Sequence, residues 1–260
     1  MDDGGIWLLK AVSKLGPLPI NYLVFDLETT GLDFNNDLVV QLGYAIVMNK
    51  RLVDCDYFIP NWTHNRDHHF CEWLHNRMEN TKKSMNSRNQ DGTNSYKHSI
   101  DRMKNQGVPP VEAFTQFLDI IKICKSHNFS MIAHNGLRFD QPMLNSNIKH
   151  ALGDHEGFEF EKLGINYYDT MAIERGIQSR IDINPEDNWM SFTRRLVYEG
   201  GKIYSSLEKH CAPKYNLIKK YNMIGDAHEA DFDCRLTHYL FEEFRSICES
   251  AKSQLKKVVA

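Results

Sequence analysis

The chain has 260 residues, of which 42% are hydrophobic and 25% charged, and its formal net charge is −3 at pH 7. This composition is typical of a globular protein with a sizeable core, and it excludes disordered, collagen-like and membrane-spanning chains. The length predicts one large domain over residues 1–260. Because the net charge is slightly negative, nucleic-acid binding would require a local basic surface.

The cysteines and the amino terminus indicate a cellular location. The six cysteines contain no Cys-x-x-Cys spacing, which predicts reduced thiols in an intracellular protein. The acidic start at 1–5 lacks the basic residues of a signal peptide, and no uncharged apolar run reaches the roughly 20 residues that span a bilayer. We therefore expect a cytoplasmic protein without a membrane partner.

Three strands are predicted near the start of the chain. Residues 21–28 form an apolar run that ends in a Thr-Thr-Gly turn, and residues 38–48 and 52–59 are apolar and β-branched. The short polar linker between the last two predicts an antiparallel meander. Residues 61–107 then become polar and contain five of the twelve histidines, which predicts an insertion or a mobile surface excursion.

The rest of the chain alternates predicted helices and strands. In order, they are an amphipathic helix opened by Pro109 and Pro110, a strand at 130–133, a helix from 141 past 148, a strand at 165–168 and a helix at 171–177 capped by Asp169. Two capping-box patterns, at 205–208 and 226–229, predict two further helices, of which the second runs through 247. This order predicts an α/β fold in which helices pack on a mixed sheet.

Two carboxylates lie in the first predicted strand. Asp26 and Glu28 are two residues apart, so both side chains project from the same face. Burying two like charges requires a compensating cation, and paired carboxylate oxygens suit a hard divalent metal. The alternative is that the strand ends at the surface and water solvates both groups.

Two later segments add further acidic candidates. Asp140 follows a short buried strand and a turn, where it is either a site residue or a plain helix N-cap. On a regular helix, a five-residue step turns about 140°, so His228 and Asp233 share a site only if His228 lies on the loop before the helix. The alternative is a surface histidine beside a solvated aspartate.

The segments Asp26 to Gly31, His134 to Asp140 and His228 to Asp233 occur in the order of three exonuclease motifs. The chain resembles the DEDDh (DnaQ-like) family of 3′-to-5′ exonucleases, which includes the proofreading epsilon subunit of DNA polymerase III, RNase T and the TREX enzymes. The resemblance covers about 21–244. It implies a ribonuclease H-like mixed five-stranded sheet with helices on both faces.

The resemblance implies a role for each motif residue. Asp26, Glu28, Asp140 and Asp233 would bind two Mg²⁺ or Mn²⁺ ions, and His228 would be the general base.

The resemblance also implies contacts with substrate. Thr29 and Leu32 would line the pocket for the terminal nucleotide, and Asn135 and Phe139 would complete its wall. The implied activity is hydrolysis from the free 3′ end of nucleic acid, with single-stranded DNA favoured, to release nucleoside monophosphates. A polymerase, or a second copy of the chain in a homodimer, is a possible partner.

Two departures from the family pattern keep other functions open. Glu229 and Asp231 place extra negative charge beside the implied base. This favours, as an alternative, a catalytically impaired protein of the same fold that binds nucleic acid or another partner. A ribonuclease H-like endonuclease is a further alternative, and it would cut a circular substrate.

A basic segment precedes the third motif. Residues 194–220 contain seven basic and two acidic side chains, with tyrosines at 204, 215 and 221 between them. Such a pattern predicts a surface for a single-stranded backbone and its bases. The alternative is an ordinary solvated surface.

Four residues in the polar segment have spacings that also suggest zinc. His64, His68, Cys71 and His75 would form one stripe if the segment were helical. Four positions along one straight helix cannot surround a tetrahedral ion. Surface histidines and a packed Cys71 are therefore favoured.

Overall fold

The structure is a computed structural model that describes residues 3–88, 98–153, 160–199, 205–225 and 228–259. Its centre is a mixed sheet of five strands in the order β3-β2-β1-β4-β5. The two pairs formed by the first three strands are antiparallel, and β4 and β5 are parallel to β1. The strands are β1 (Tyr22–Thr29), β2 (Val39–Met48), β3 (Arg51–Phe58), β4 (Ser130–Ala133) and β5 (Tyr167–Asp169).

Helices cover both faces of the sheet. They are α1 (Asp3–Leu15), α2 (His68–Arg88), α3 (Ile100–Gln106), α4 (Pro110–Ser126), α5 (Asp140–Leu152), α6 (Phe160–Leu163), α7 (Thr170–Ser179), α8 (Trp189–Glu199), α9 (Ala212–Lys214), α10 (Leu217–Lys220) and α11 (Ala230–Val259), with a π-helical turn at Leu207–Cys211. The predicted α/β fold with a mixed five-stranded sheet is confirmed. Among the described helices, none has both the length and the apolar character needed to cross a bilayer.

The alternation of residues along β1 divides the interior into two cores. Tyr22 and Val24 pack with α1, α7, α8 and α11, whereas Leu23 and Phe25 pack with α2, α3, α4 and α5. Both sets are buried because a strand at the centre of a sheet is covered on each side. Asp26 and Glu28 continue the row of Tyr22 and Val24 towards the carboxyl end of the strand.

The polar segment at 61–107 is not a surface excursion over its described part. Leu74 and Met78 in α2 and Met103 in α3 are buried in the second core. These helices present a few apolar residues to the sheet and polar residues elsewhere, which lowers the average hydropathy of the segment without preventing packing. Residues 89–97 lie outside the described residues.

Most predicted helix starts are confirmed, with small shifts. Asp169 caps α7 by accepting hydrogen bonds from the backbone N–H groups of Met171 and Ala172. Ser206, rather than the predicted Ser205, caps the turn at 207–211. The predicted cap Asp226 lies outside the described residues. The sequence did not predict the helices α1, α2, α3, α6, α8, α9 and α10.

Candidate active site

The carboxyl end of β1 forms the floor of a cavity of about 450 Å³. Residues from all three motifs line it, although they are far apart in the chain. Its lining includes Asp26, Glu28, Thr29, Leu32, His134, Phe139, Asp140, Glu208, His228 and Asp233.

A close contact between β2 and α11 brings the third motif to this cavity. A Cβ atom at Gly43 would lie only 2.5 Å from the Cβ of Ala230, so any larger residue would push the start of α11 away from the sheet. Gly43 is the neighbour of Asp26 in the β1–β2 register. The glycine therefore allows Asp233, in the first turn of α11, to reach the cavity.

Asp140 is a buried residue of the cavity and not a plain cap. Phe139 occupies the N-cap position of α5 and makes no side-chain cap hydrogen bond. Only 3% of Asp140 is exposed. Burial, followed by the like charges of Asp26 and Asp169, raises the pKa of Asp140 well above its ordinary value.

His228 lies on the loop before α11, the position that the spacing argument requires if His228 and Asp233 share a site. Its backbone N–H donates to Asp233 Oδ2 at 3.2 Å, which lets the loop and the helix share one site. The imidazole Nδ1 is 3.9 Å from Glu28 Oε1. The backbone φ of His228 is +64°, a left-handed conformation that residues other than glycine rarely adopt.

The other cavity carboxylates also resist ionisation. Burial, followed by the like charge of Glu208, raises the pKa of Asp26 to about 7. Burial also raises the pKa values of Glu28 and Asp233, with repulsion from Asp26 as the next cause. Like charges in a site of low polarity destabilise one another, so the site favours either protons or a cation.

The donor set fits a divalent metal ion. Glu28, His228 and Asp233 each offer one ligand atom within 4.8 Å of the others, and Asp26 and Asp140 line the same cavity. Among the described side chains, the buried Asp233 Oδ1 has no hydrogen-bond partner. Carboxylate oxygens of this kind suit Mg²⁺ and Mn²⁺.

Glu208 is a cavity residue that the motifs did not predict. It lies in the π-helical turn at 207–211 and accepts a hydrogen bond from the Ser206 hydroxyl at 3.2 Å. Its charge raises the pKa values of Asp26, Glu28 and Asp233. The sequence signal was an acidic residue in the first turn of a predicted helix, which is also what an ordinary capping box provides.

Helix α2 supplies another wall that the motifs did not predict. Four of its side chains line the cavity, namely Arg77, Asn80, Thr81 and Ser84. The Thr81 hydroxyl donates to the backbone carbonyl of Thr30, which fixes α2 against the turn after β1.

The four residues predicted to contact substrate divide into two groups. Thr29, Leu32 and Phe139 line the cavity, and Leu32 is 68% exposed. Asn135 does not line it, and its backbone N–H donates to Asp169 Oδ1 at 3.0 Å. The role of each in substrate binding stays a prediction.

Glu229 and Asp231, the two acidic residues that depart from the family pattern in the third motif, are both paired with cations. Arg102 binds Glu229 through two hydrogen bonds of 2.6 and 2.8 Å. Burial alone would raise the pKa of Glu229, but the hydrogen bonds from Arg102 and Gln41 lower it. Arg235, one turn along α11, lies 3.2 Å from Asp231. These partners largely offset the extra negative charge.

The basic segment at 194–220 carries less free charge than its composition predicts. Three of its seven cations form ion pairs with acids outside the segment, as Arg195–Asp187, Lys214–Glu174 and Lys220–Glu243. Two of its tyrosines, Tyr215 and Tyr221, donate to the same glutamates. Positions 202 and 204 lie outside the described residues. Much of the described segment therefore stabilises the fold.

The zinc hypothesis for the polar segment finds no support in the described residues. There, the one group of three or more ligand side chains close enough to share an ion is Glu28, His228 and Asp233. The histidines at 64, 68 and 75 and Cys71 do not belong to it. His68 is 89% exposed and lies beside Glu72.

Solved structures of exonuclease I have the same ribonuclease H-like fold. The E. coli exonuclease I complex with a dT13 oligonucleotide aligns with a TM-score of 0.56 and 12% identity, covering 92% of this chain and 43% of that chain. A product-bound exonuclease I structure gives a TM-score of 0.54 and 12% identity, covering 92% and 45%. The zinc-bound E. coli exonuclease I–ssDNA complex gives 0.52 and 12% identity, covering 92% and 43%.

At this identity, the similarity establishes the fold, and this chain spans less than half the length of the exonuclease I chains. No protein-family model matches the sequence, and no curated protein sequence matches it.

Proposed function

We propose that this protein is a metal-dependent 3′-to-5′ exonuclease of the DEDDh type. It hydrolyses the terminal phosphodiester bond of single-stranded nucleic acid, with DNA favoured, and releases nucleoside monophosphates. The observation that carries the proposal is the convergence of five motif residues on one cavity. They are Asp26, Glu28, Asp140, His228 and Asp233.

The carboxylates would hold two Mg²⁺ or Mn²⁺ ions. When bound, these ions supply the positive charge that activates water and stabilises the transition state of phosphodiester hydrolysis. Asp26, Glu28, Asp140 and Asp233 would lose their protons on binding the ions, and the positive charge of the ions would offset the repulsion among the ionised carboxylates.

His228 takes the proton from the attacking water. Its loop position next to Glu28 and Asp233 sets the imidazole at the edge of the acidic cluster, facing the cavity. Histidine suits this role because its ordinary pKa lies near neutrality. Thr29, Leu32 and Phe139 contact the terminal nucleotide, and the apolar side chains limit access of water.

The paired state of Glu229 and Asp231 supports catalysis over the impaired alternative. Arg102 pairs with Glu229 and Arg235 pairs with Asp231, so each extra negative charge near His228 has a positive partner. The similarity in fold to exonuclease I, whose solved structures include complexes with dT13 and dA16 oligonucleotides, also supports a single-stranded substrate.

The test is digestion of a 5′-labelled DNA oligonucleotide with Mg²⁺, Mn²⁺ or EDTA, beside an RNA of the same sequence. We expect a ladder that shortens from the 3′ end, that EDTA abolishes, and that His228→Ala reduces by about 10²- to 10⁴-fold while DNA binding is retained. Cleavage of a circular strand would instead establish an endonuclease. Binding without cleavage in the wild-type protein would establish the impaired alternative.

A further inference from the structure

The loop that carries His228 is held by a helix outside the three motifs. Arg102 in α3 donates from Nη1 to Glu229 Oε1 at 2.6 Å and from Nη2 to Glu229 Oε2 at 2.8 Å. Both side chains are largely buried, with 17% and 14% exposed. A bidentate pair of this kind fixes orientation as well as distance.

The sheet holds the same loop from the other side. Gln41 in β2 donates from Nε2 to Glu229 Oε2 at 3.0 Å, and its Oε1 accepts from the backbone N–H of Ala230 at 2.8 Å. Gln41 is fully buried and is the register partner of Glu28. One position of the sheet therefore connects a cavity carboxylate to the loop before α11.

His98, which precedes α3, holds the backbone of His228 directly. His98 Nε2 lies 3.2 Å from the carbonyl oxygen of His228 and 3.9 Å from Glu28 Oε2. Because a carbonyl oxygen can only accept, this contact places a proton on Nε2. The imidazole of His98 is 3% exposed.

The backbone of His228 needs such support. At a φ of +64° it occupies a region that an unsupported histidine would leave. Its N–H is held by Asp233 and its carbonyl by His98, while Arg102 and Gln41 hold the next residue.

We propose that Arg102 and His98 are positioning residues that hold the His228 imidazole over the cavity carboxylates. Glu229, which departs from the family pattern, is the group through which α3 reaches the loop. The inference rests on the proposed role of His228 as general base. It assigns the segment at 61–107 a part in the reaction although His98 and Arg102 do not line the cavity.

The test compares Arg102→Gln, Glu229→Gln and the double variant with a matched control, Arg245→Gln. Arg245 is a buried arginine of α11 that pairs with Glu242, with side chains 10% and 17% exposed, and it does not line the cavity. For each protein, kcat and KM on single-stranded DNA, Tm, and hydrogen–deuterium exchange of the peptide containing His228 and Glu229 are measured.

We expect Arg102→Gln and Glu229→Gln to lower kcat by about 10- to 100-fold, because small displacements of a catalytic group are costly, with KM changed less than about threefold. The kcat of the double variant should be no lower than that of the less active single variant, since both substitutions break the same contact. Exchange at the loop should accelerate. Arg245→Gln should keep kcat within about threefold of wild type, even if its Tm falls as much as the Tm of Arg102→Gln. The reason is that Arg245 does not contact the loop.

A second pair of variants tests His98. His98→Gln retains an N–H near the Nε2 position and should keep most of the activity, whereas His98→Leu should lower kcat by about tenfold. Wild-type kcat in Arg102→Gln, or an equal loss in Arg245→Gln, would overturn the inference. If the wild-type protein cleaves nothing, the proposed function fails, and hydrogen–deuterium exchange alone tests whether Arg102 holds the loop. Unchanged protection of the loop in Arg102→Gln would then overturn the positioning role as well.

Discussion

Asp26 and Asp37 lie on either side of the turn after β1 and have opposite surroundings. Arg77 donates to both carboxylate oxygens of Asp37 at 2.6 and 2.8 Å, and the Thr30 hydroxyl donates at 2.9 Å. Burial alone would raise the pKa of Asp37, but these partners lower it. Asp26 forms no ion pair with a described lysine or arginine, and its pKa is raised to about 7 by burial and by Glu208.

We propose that this difference separates structural carboxylates from functional ones. Asp37, Glu174 and Glu243 are all buried and all paired with a cation, so their charges stabilise the fold. The cavity carboxylates repel one another instead, and a fold bears such a cost at sites where a ligand offsets it.

The largest expected effect comes from Asp26→Asn. We expect kcat/KM in Mg²⁺ to fall by about 10³-fold or more, because the loss of a proposed metal ligand would remove several kcal/mol of transition-state stabilisation. In EDTA the same variant should be at least as stable as the wild type, since the substitution removes a repulsive charge. Steady-state kinetics and thermal unfolding measure the two effects.

Asp37→Asn is the matched control for stability. It should lower the free energy of unfolding by about 1.5–3 kcal/mol, because the substitution removes charge-assisted hydrogen bonds at a buried site. Two substitutions of the same kind should thus move Tm in EDTA in different directions. If both variants lose stability equally, Asp26 is a structural residue and the comparison fails.

The next effect is the dependence of stability on Mg²⁺ and pH. The four cavity carboxyls have raised pKa values, so without metal the folded protein binds protons more tightly than the unfolded chain. The contribution of Asp26 to stability is complete below about pH 4 and is lost as the pH rises through about 7. The contributions of Glu28, Asp140 and Asp233 have the same sign and are lost as the pH rises through their own raised pKa values. Mg²⁺ at about a hundredfold excess over its Kd should raise Tm by about 5–10 °C.

The Mg²⁺-induced shift should be larger at pH 8 than at pH 5.5, because fewer protons compete with the ion at the higher pH. Differential scanning calorimetry in Mg²⁺ and in EDTA at both pH values measures it, with Asp26→Asn as the variant whose shift is reduced. A shift that is the same at both pH values would show that the cavity carboxyls are not the groups that bind the ion.

The sequence predicted the first three strands and the Asp169 cap because these depend on local patterns. The apolar runs at 21–28, 38–48 and 52–59 match β1 to β3 within a residue or two. Helix geometry gave a condition for His228, namely that it lies on a loop if it shares a site with Asp233, and the structure meets that condition. Asp169 as a cap followed from its position between a strand and a helix.

Features that depend on distant partners were not predictable. The two glycines near the start of α1 disfavour a helix, yet Gly5 packs closely against Ile247 and Ala251 of α11. Glu208 lines the cavity because Leu207 and Cys211 of the same turn are buried in the core that contains Tyr22 and α11. The count of charges within 194–220 also overstated the basic surface. Three cations of this segment pair with Glu174, Glu243 and Asp187, which lie outside it in the sequence.

The smallest expected effect comes from Asp231→Asn, at the remaining acidic departure in the third motif. Asp231 is partly exposed and pairs with Arg235 one turn away, an arrangement worth about 0.3–0.5 kcal/mol. We expect kcat to stay within about threefold of wild type and Tm within about 2 °C. A gain in kcat of tenfold or more, measured with the 5′-labelled oligonucleotide, would mean that Asp231 suppresses His228 despite its arginine. The difference between paired and unpaired carboxylates would then no longer separate structural residues from functional ones.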